Sequence, residues 1–339
     1  MVSVFEGWGY DEIVPPLFDD AATFDPTLAS KLYTFTGREG ATLALRPDFT
    51  SLVAKIAAGR LRQVEAPLRL YYSGEVVRYE PPRAGQQGEF HQMGLEFLGG
   101  GGASADVEVI AVALECLETV GVTESILAIG HAGVVTSLLD EIGIGPLDPR
   151  RDQALESLNR RDPRAVEQAT AGATGSGAAR RALIGLAEDD GIRQSIDAAR
   201  KSMSGIANAE AALAELETVV RALEEAGLRG RVAIDLSESR ALDYYTGLVF
   251  RIYGAGLGFD VGGGGRYDSL LGRLGRPMPA IGFMLGLDRL ALLVERAGAL
   301  KLEEAGSGAK VQGRTLGESV RLARERRSLG QKVRFEGPR

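Results

Sequence analysis

One cysteine, Cys116, and two histidines, His91 and His131, occur in 339 residues, so neither an internal disulfide nor a thiolate or histidine-rich metal cluster is available. No metal and no cofactor is expected. Long apolar runs are missing too: nothing approaches the roughly 18 residues of a membrane helix, and the opening MVSVFEGWGY has neither a basic nor an apolar signal region. These absences predict a reducing, cytoplasmic setting with no membrane partner. Positive charge is also short, since 39 Lys and Arg against 46 Asp and Glu leave a net charge of -7, which excludes a broadly basic nucleic-acid coat. Glycine, in contrast, is abundant: 45 residues, about twice the usual share, clustered at 99–102 and 262–265 with no fixed period. Collagen-like and low-complexity readings fail, and tight turns or close backbone approach remain.

The length fits about two domains of roughly 150 residues, and 45% hydrophobic residues supply a sizeable core. From 10 to about 97, runs such as KLYTFT, ATLALRP, LRLYYSGEVVRYE and FHQMGLEFL alternate with turns and predict antiparallel strands. Pro15 and Pro16 cannot donate to a ladder, so the strand beside them lies at an edge or ends there. Val107, Ile110, Ala111, Leu114 and Leu117 recur at helical spacing, with Cys116 beside the stripe as a small buried residue. Between 138 and 229 the texture is alanine-rich, charged and nearly free of aromatics, which predicts helices, and β texture returns at Val232. The expected organisation is a sheet core from 1–137 and 230–300, a helical insertion at 138–229 and a basic tail at 301–339. Its last stretch, RTLGESVRLARERRSLGQKVR, has room for one helix and a strand but not for a core of its own. Its cations suit either a solvated helix or docking on an acidic surface.

Three segments carry candidate chemistry. In RLYYSGEVVRYEPPRAGQQGEFHQMGLEF one strand delivers Arg78 and Glu80, and a second returns His91, Gln92 and Glu96. Alternation puts Gln92, Gly94 and Glu96 on one side. A guanidinium there clamps a carboxylate or phosphate, and the carboxylates and amide hold a ligand cation; the alternative is a salt bridge on a solvated face. SESRALDYYTGLVF offers Arg240, Tyr244 and Tyr245, either as pocket residues or as half-buried strand residues. DVGGGGRYDSLL allows close approach to a ligand or strand, or a simple turn, and is not a Walker sequence because no lysine follows its last glycine.

In this order the blocks resemble the class II aminoacyl-tRNA synthetase core, and within it the histidyl-tRNA synthetase family. LRPDFT looks like the substrate-binding strand end, the 78–96 hairpin like motif 2, RALDYYTG like the histidine signature, and GFMLGLDRL like motif 3, together covering residues 5–296. The resemblance implies an α+β fold, an antiparallel sheet flanked by helices, with a helical insertion. By position it implies Asp48 and Thr50 at the amino group of histidine, Arg78 at a carboxylate or phosphate, and Gln92 and Glu96 at the amino acid. Arg240 takes the activating position, Tyr244 and Tyr245 the imidazole side, and Arg289 that of the motif 3 arginine.

The pattern departs in two places. About 43 residues follow Arg296, where the synthetases carry an anticodon-binding domain of about a hundred, so that domain and tRNA are not expected. The motif 2 loop reads Gly85, Gln86, Gln87, Gly88, Glu89, Phe90 in place of Gly-Arg-x-Arg before the Phe, which removes cations from a phosphate site. The start is also short of the long motif 1 helix. These departures resemble the regulatory-subunit family of short-form ATP phosphoribosyltransferase. That resemblance implies a chain with no catalytic residue, paired as a homodimer with the catalytic subunit in a hetero-oligomer and responding to L-histidine. An atypical histidine-activating ligase and another amino-acid-binding paralogue stay open.

Overall fold

Every period-two run quoted above contributes to a strand in the computed structural model, which describes residues 1–79, 88–188, 195–238, 244–296, 298 and 308–336. The chain divides into two units, Met1–Val294 and Glu295–Arg339. The first begins with helix α1 (Val2–Gly7), strands β1 (Asp11–Glu12), β2 (Phe18–Asp20), β3 (Thr34–Thr36) and β4 (Thr42–Leu45), helix α2 (Thr50–Ala58), and the long hairpin of β5 (Leu68–Val77) and β6 (Glu89–Leu98). Helix α3 (Gly102–Thr119) and strand β7 (Ser125–His131) lead into six helices: α4 (Ala132–Glu141), α5 (Arg150–Asn159), α6 (Pro163–Ala169), α7 (Gly177–Glu188), α8 (Ile196–Ser202) and α9 (Ala207–Glu225). Strands β8 (Val232–Ile234), β9 (Leu248–Gly254) and β10 (Asp260–Arg266), helix α10 (Leu270–Arg273), strand β11 (Ala280–Gly286) and helix α11 (Leu287–Arg296) follow.

Eight strands form one sheet in the order β1-β5-β6-β11-β10-β9-β7-β8, and β2, β4 and β3 form a separate small one. The expected antiparallel pairing holds from β5 to β7, but both edges are parallel, β1 with β5 and β7 with β8. A parallel pair needs a long crossover, and between β7 and β8 the helical block supplies it. The block is packed on the sheet unit through α9, which contacts α3, α4 and β7. His131 adds a polar tie: its Nδ1 accepts the Gly133 N–H at 3.1 Å, so the ring proton sits on Nε2, 3.2 Å from Glu215 of α9. Burial holds this imidazole below its ordinary pKa. Helix α3 buries Val109, Ile110, Ala113, Leu114 and Leu117 in the same core, along with Cys116, whose thiol burial pushes up to about 12.

Of the two readings left open for the glycine run, the structure has the strand and not the turn, for a steric reason. Gly264 lies between Phe250 of β9 and Phe283 of β11, and a Cβ there would meet the Gly282 carbonyl oxygen at 2.1 Å. On β11 a Cβ at Gly282 would lie 1.8 Å from Glu96 Oε2. Gly282→Ala is therefore expected to destabilise the protein by about 1–3 kcal/mol through overpacking. Urea unfolding checks this, and an unchanged midpoint would contradict the close approach.

The second unit holds β12 (Ala309–Val311), α12 (Leu316–Ser328) and β13 (Val333–Phe335), with the two strands parallel. The helix and strand expected in RTLGESVRLARERRSLGQKVR are α12 and β13, and β12 precedes that stretch. Thr315 caps α12 by accepting the Glu318 N–H at 3.2 Å, while Glu318 accepts the Arg314 N–H at 2.7 Å, a reciprocal cap. Among the described residues no helix is long and apolar enough to cross a membrane.

Candidate functional site

Hairpin register decides which side chains meet. Gly74 pairs with Gln92, Tyr72 with Gly94 and Leu70 with Glu96, so Gln92, Gly94 and Glu96 share a face with Tyr72. His91 points to the other face, where Nε2 lies 2.8 Å from Ser73 Oγ and Nδ1 3.2 Å from Glu75. It leaves the expected cluster. Two residues before α2, Asp48 turns its carboxylate to the Ser51 N–H at 2.8 Å, which brings Asp48 and Thr50 to the Gln92 face.

There a cavity of about 220 Å³ is lined by Asp48, Thr50, Arg78, Gln92, Tyr244 and Tyr245, six of the residues named from sequence. Arg240 and Glu80 lie outside the described residues. Arg289 does not line the cavity: on α11 it donates to the Asp260 carbonyl at 2.8 Å and sits 5.3 Å from the centre of the Phe259 ring. Glu96 also stays out of the lining. It lies beneath, 1% exposed, accepting hydroxyls from Thr50 at 2.6 Å, Tyr72 at 3.4 Å and Tyr267.

These bonds give the cavity a polarity. Thr50 has one hydroxyl proton and donates it to Glu96, so its oxygen offers only lone pairs elsewhere. With the Asp48 carboxylate beside it, this end accepts hydrogen bonds and suits an ammonium group. Burial raises the Asp48 pKa, opposed by the Ser51 N–H and the charge of Arg78. The opposite polarity comes from Gln92 Nε2 and the Tyr244 hydroxyl, buried polar atoms without a hydrogen-bond partner among the described residues. Arg78 stands nearby, its Nε donating to the Pro47 carbonyl at 2.5 Å and its guanidinium 5.5 Å from the centre of the Phe90 ring. Burial and Glu96 push the Tyr72, Tyr244 and Tyr267 phenols far above their ordinary values, which keeps them neutral. Glu96 itself is pushed up to about 7 by burial, despite its hydroxyl donors. An unpaired buried donor costs free energy until something accepts from it. The arrangement therefore suits a zwitterion.

Sequence reasoning missed three participants. Tyr267, which follows the glycine run and Arg266, stacks on Tyr244 with ring centres 5.3 Å apart and holds Glu96. Glu238 and Arg251 both line the cavity and pair at 3.1 Å, with Arg251 also 3.2 Å from Asp260. Their signals were weak: a tyrosine in a motif already noted, an acid two residues before Arg240, and an arginine in the alternation of β9.

A family model described as histidyl-tRNA synthetase matches residues 1–290. An ATP phosphoribosyltransferase regulatory subunit from Moorella thermoacetica is 42% identical over 342 residues, covering 99% of this chain and 86% of the relative. One of the same description from Symbiobacterium thermophilum is 39% identical over 89% of this chain and 76% of the relative. A crystal structure from Bacillus halodurans, described as an ATP phosphoribosyltransferase regulatory subunit/histidyl-tRNA synthetase, superposes with a TM-score of 0.80 at 31% identity, covering 98% of this chain and 85% of that one. Histidyl-tRNA synthetase from Nostoc shares the fold, with a TM-score of 0.77 at 22% identity over 100% of this chain and 81% of that one.

Proposed function

This chain belongs to the family of ATP phosphoribosyltransferase regulatory subunits, built on the histidyl-tRNA synthetase fold, and from that premise we propose how it works. It is a regulatory subunit in histidine biosynthesis. It performs no chemistry itself: as a homodimer it assembles with the short-form catalytic subunit, permits phosphoribosyl transfer there, and charges no tRNA. Free L-histidine occupies the cavity beside Asp48 and lowers the activity of the complex.

One observation supports the effector assignment above the others. Among the described residues, Gln92 Nε2 and the Tyr244 hydroxyl have no partner, and they are buried in a cavity whose other side offers Asp48 and the lone pairs of Thr50. An amino acid supplies acceptors to the first pair and an ammonium to the second. Tyr244→Phe removes one donor and is expected to weaken histidine binding by about 0.5–1.5 kcal/mol, or roughly 2- to 13-fold. Calorimetry on the wild type and the variant measures it, and equal affinities would remove Tyr244 from the site. The role in the complex is tested by co-expression with the short-form catalytic subunit. Co-purification and a transferase activity that depends on this chain and falls with added histidine are expected, and a catalytic subunit equally active alone would overturn the reading.

A further inference from the structure

Helix α12 has a face that its own unit leaves uncovered. Ser319 is buried and Leu322 and Ala323 are half-buried, on the side that meets β12 and β13. At 3.6 residues per turn, Leu316, Val320, Arg324 and Arg327 follow one another along a single strip beside that packed side, with Arg321 farther round on the outer side. All five are exposed, Leu316 by 60% and Val320 by 47%. Two nearby acids are engaged elsewhere, Glu318 accepting the Arg314 N–H at 2.7 Å and Glu336 pairing with Lys310 at 2.9 Å, which leaves Glu325 as the one carboxylate on α12 beside four arginines. Among the described residues, Arg321, Arg324, Arg326 and Arg327 have no ion pair. Residues 295–339 carry 11 Lys and Arg against 6 Glu, in a chain whose net charge is -7, so the charge is concentrated on this unit.

The composition of the face identifies its partner. A phosphate backbone would satisfy the guanidiniums but leave Leu316 and Val320 in water, and α12 has no aromatic residue on which a base could stack. Phe335, the exposed aromatic of the unit, is on β13. The helix contains four arginines and no lysine. Arginine beside exposed aliphatic side chains is the composition of protein interfaces, where the planar guanidinium pairs with carboxylates in a fixed geometry. We propose that Leu316, Val320, Arg321, Arg324 and Arg327 dock on an acidic surface of the catalytic subunit, with the aliphatic pair packed at the N-terminal end of the strip and the arginines paired to carboxylates along the rest. This inference rests on the regulatory-subunit reading for the identity of the partner.

The test measures association of the full chain with the short-form catalytic subunit at about 50 and about 500 mM salt, where screening lengths differ several-fold. Three forms are compared: wild type, Arg321→Glu/Arg324→Glu/Arg327→Glu, and the charge-retaining triple Lys variant, each checked for helix content by circular dichroism. The Glu variant is expected to associate at least about tenfold more weakly at low salt, with the gap closing at high salt and the Lys variant in between. Equal association of the wild type and the Glu variant at both salts would overturn the docking face and leave the regulatory reading intact. No association of the wild type at either salt would overturn both. If single-stranded RNA or phosphatidylserine vesicles bind the wild type and not the Glu variant, while assembly with the catalytic subunit is unchanged, the face belongs to a polyanion and the proposal fails.

Discussion

Mixed with ATP and histidine, the purified chain is expected to exchange pyrophosphate at least about 10⁴-fold more slowly than a histidyl-tRNA synthetase assayed beside it. Forming an adenylate gathers negative charge at the phosphates, and enzymes meet it with fixed cations. In this chain the segment Gly85 to Phe90 has neutral Gln and Gly where the synthetases carry two arginines. Each lost transition-state contact costs about 2.7–4 kcal/mol when it acts like an oxyanion donor, so two losses account for the expected deficit. The cations that remain are partly occupied. Arg289 donates to the Asp260 carbonyl at 2.8 Å, and Arg78 donates to the Pro47 carbonyl at 2.5 Å. Arg240 persists in the sequence, and it is the one feature that favours a histidine-activating enzyme. Exchange at a rate comparable to the synthetase would therefore overturn the non-catalytic reading and support that alternative.

Replacing Glu96 by Gln is expected to abolish a pH dependence of stability on the order of 3 kcal/mol. In the folded protein burial pushes this carboxyl from 4.5 up to about 7. Between those values the unfolded chain has released the proton and the folded chain retains it, so stability falls as pH rises. The contribution of Glu96 is complete below about pH 4.5 and lost above about pH 7. Gln cannot titrate, so the variant should gain on the wild type across that window and run parallel to it outside. Asp106, pushed up to about 6 by burial against the pull of Arg266, titrates in the same window in both proteins and cancels in the comparison. Urea unfolding of both at several pH values makes the measurement. A difference that stays constant from pH 4.5 to 8 would mean that Glu96 is not held in its buried setting. The same variant should weaken histidine binding indirectly. A Gln amide can donate to Thr50, and the Thr50 proton then turns toward the cavity, where an acceptor was needed.

Part of the cavity wall was legible in spacing: Arg78 and Gln92 across a hairpin and Tyr244 beside Tyr245 are local patterns, whereas Asp48 and Thr50 were named only by the resemblance to the synthetases, and all six line the cavity. Alternation put Gln92 and Glu96 on one face. It could not say that one lines the cavity and the other lies beneath it, because depth is set by neighbours remote in sequence. Gly282 on β11 gives Glu96 its space, Tyr267 comes from beyond β10, and Thr50 from α2.

What the sequence determined by itself was what period and composition can encode: strands from alternation, helices from three-and-four spacing, a helical block within a sheet protein, and a basic segment in an acidic chain. Only the tertiary structure decided the properties that depend on several segments meeting. It made the glycine run a strand, because β10 is pressed between β9 and β11 with no room for a Cβ. It made the β7–β8 edge of the sheet parallel, because the helical block serves as the crossover between those strands. It turned His91 away from the cavity cluster and left Gln92 Nε2 and the Tyr244 hydroxyl without partners among the described residues, because register fixes the face of each side chain and packing fixes what is left to bond with it. Burial and hydrogen bonding are sums over neighbours, and a linear sequence does not specify neighbours until the chain has folded.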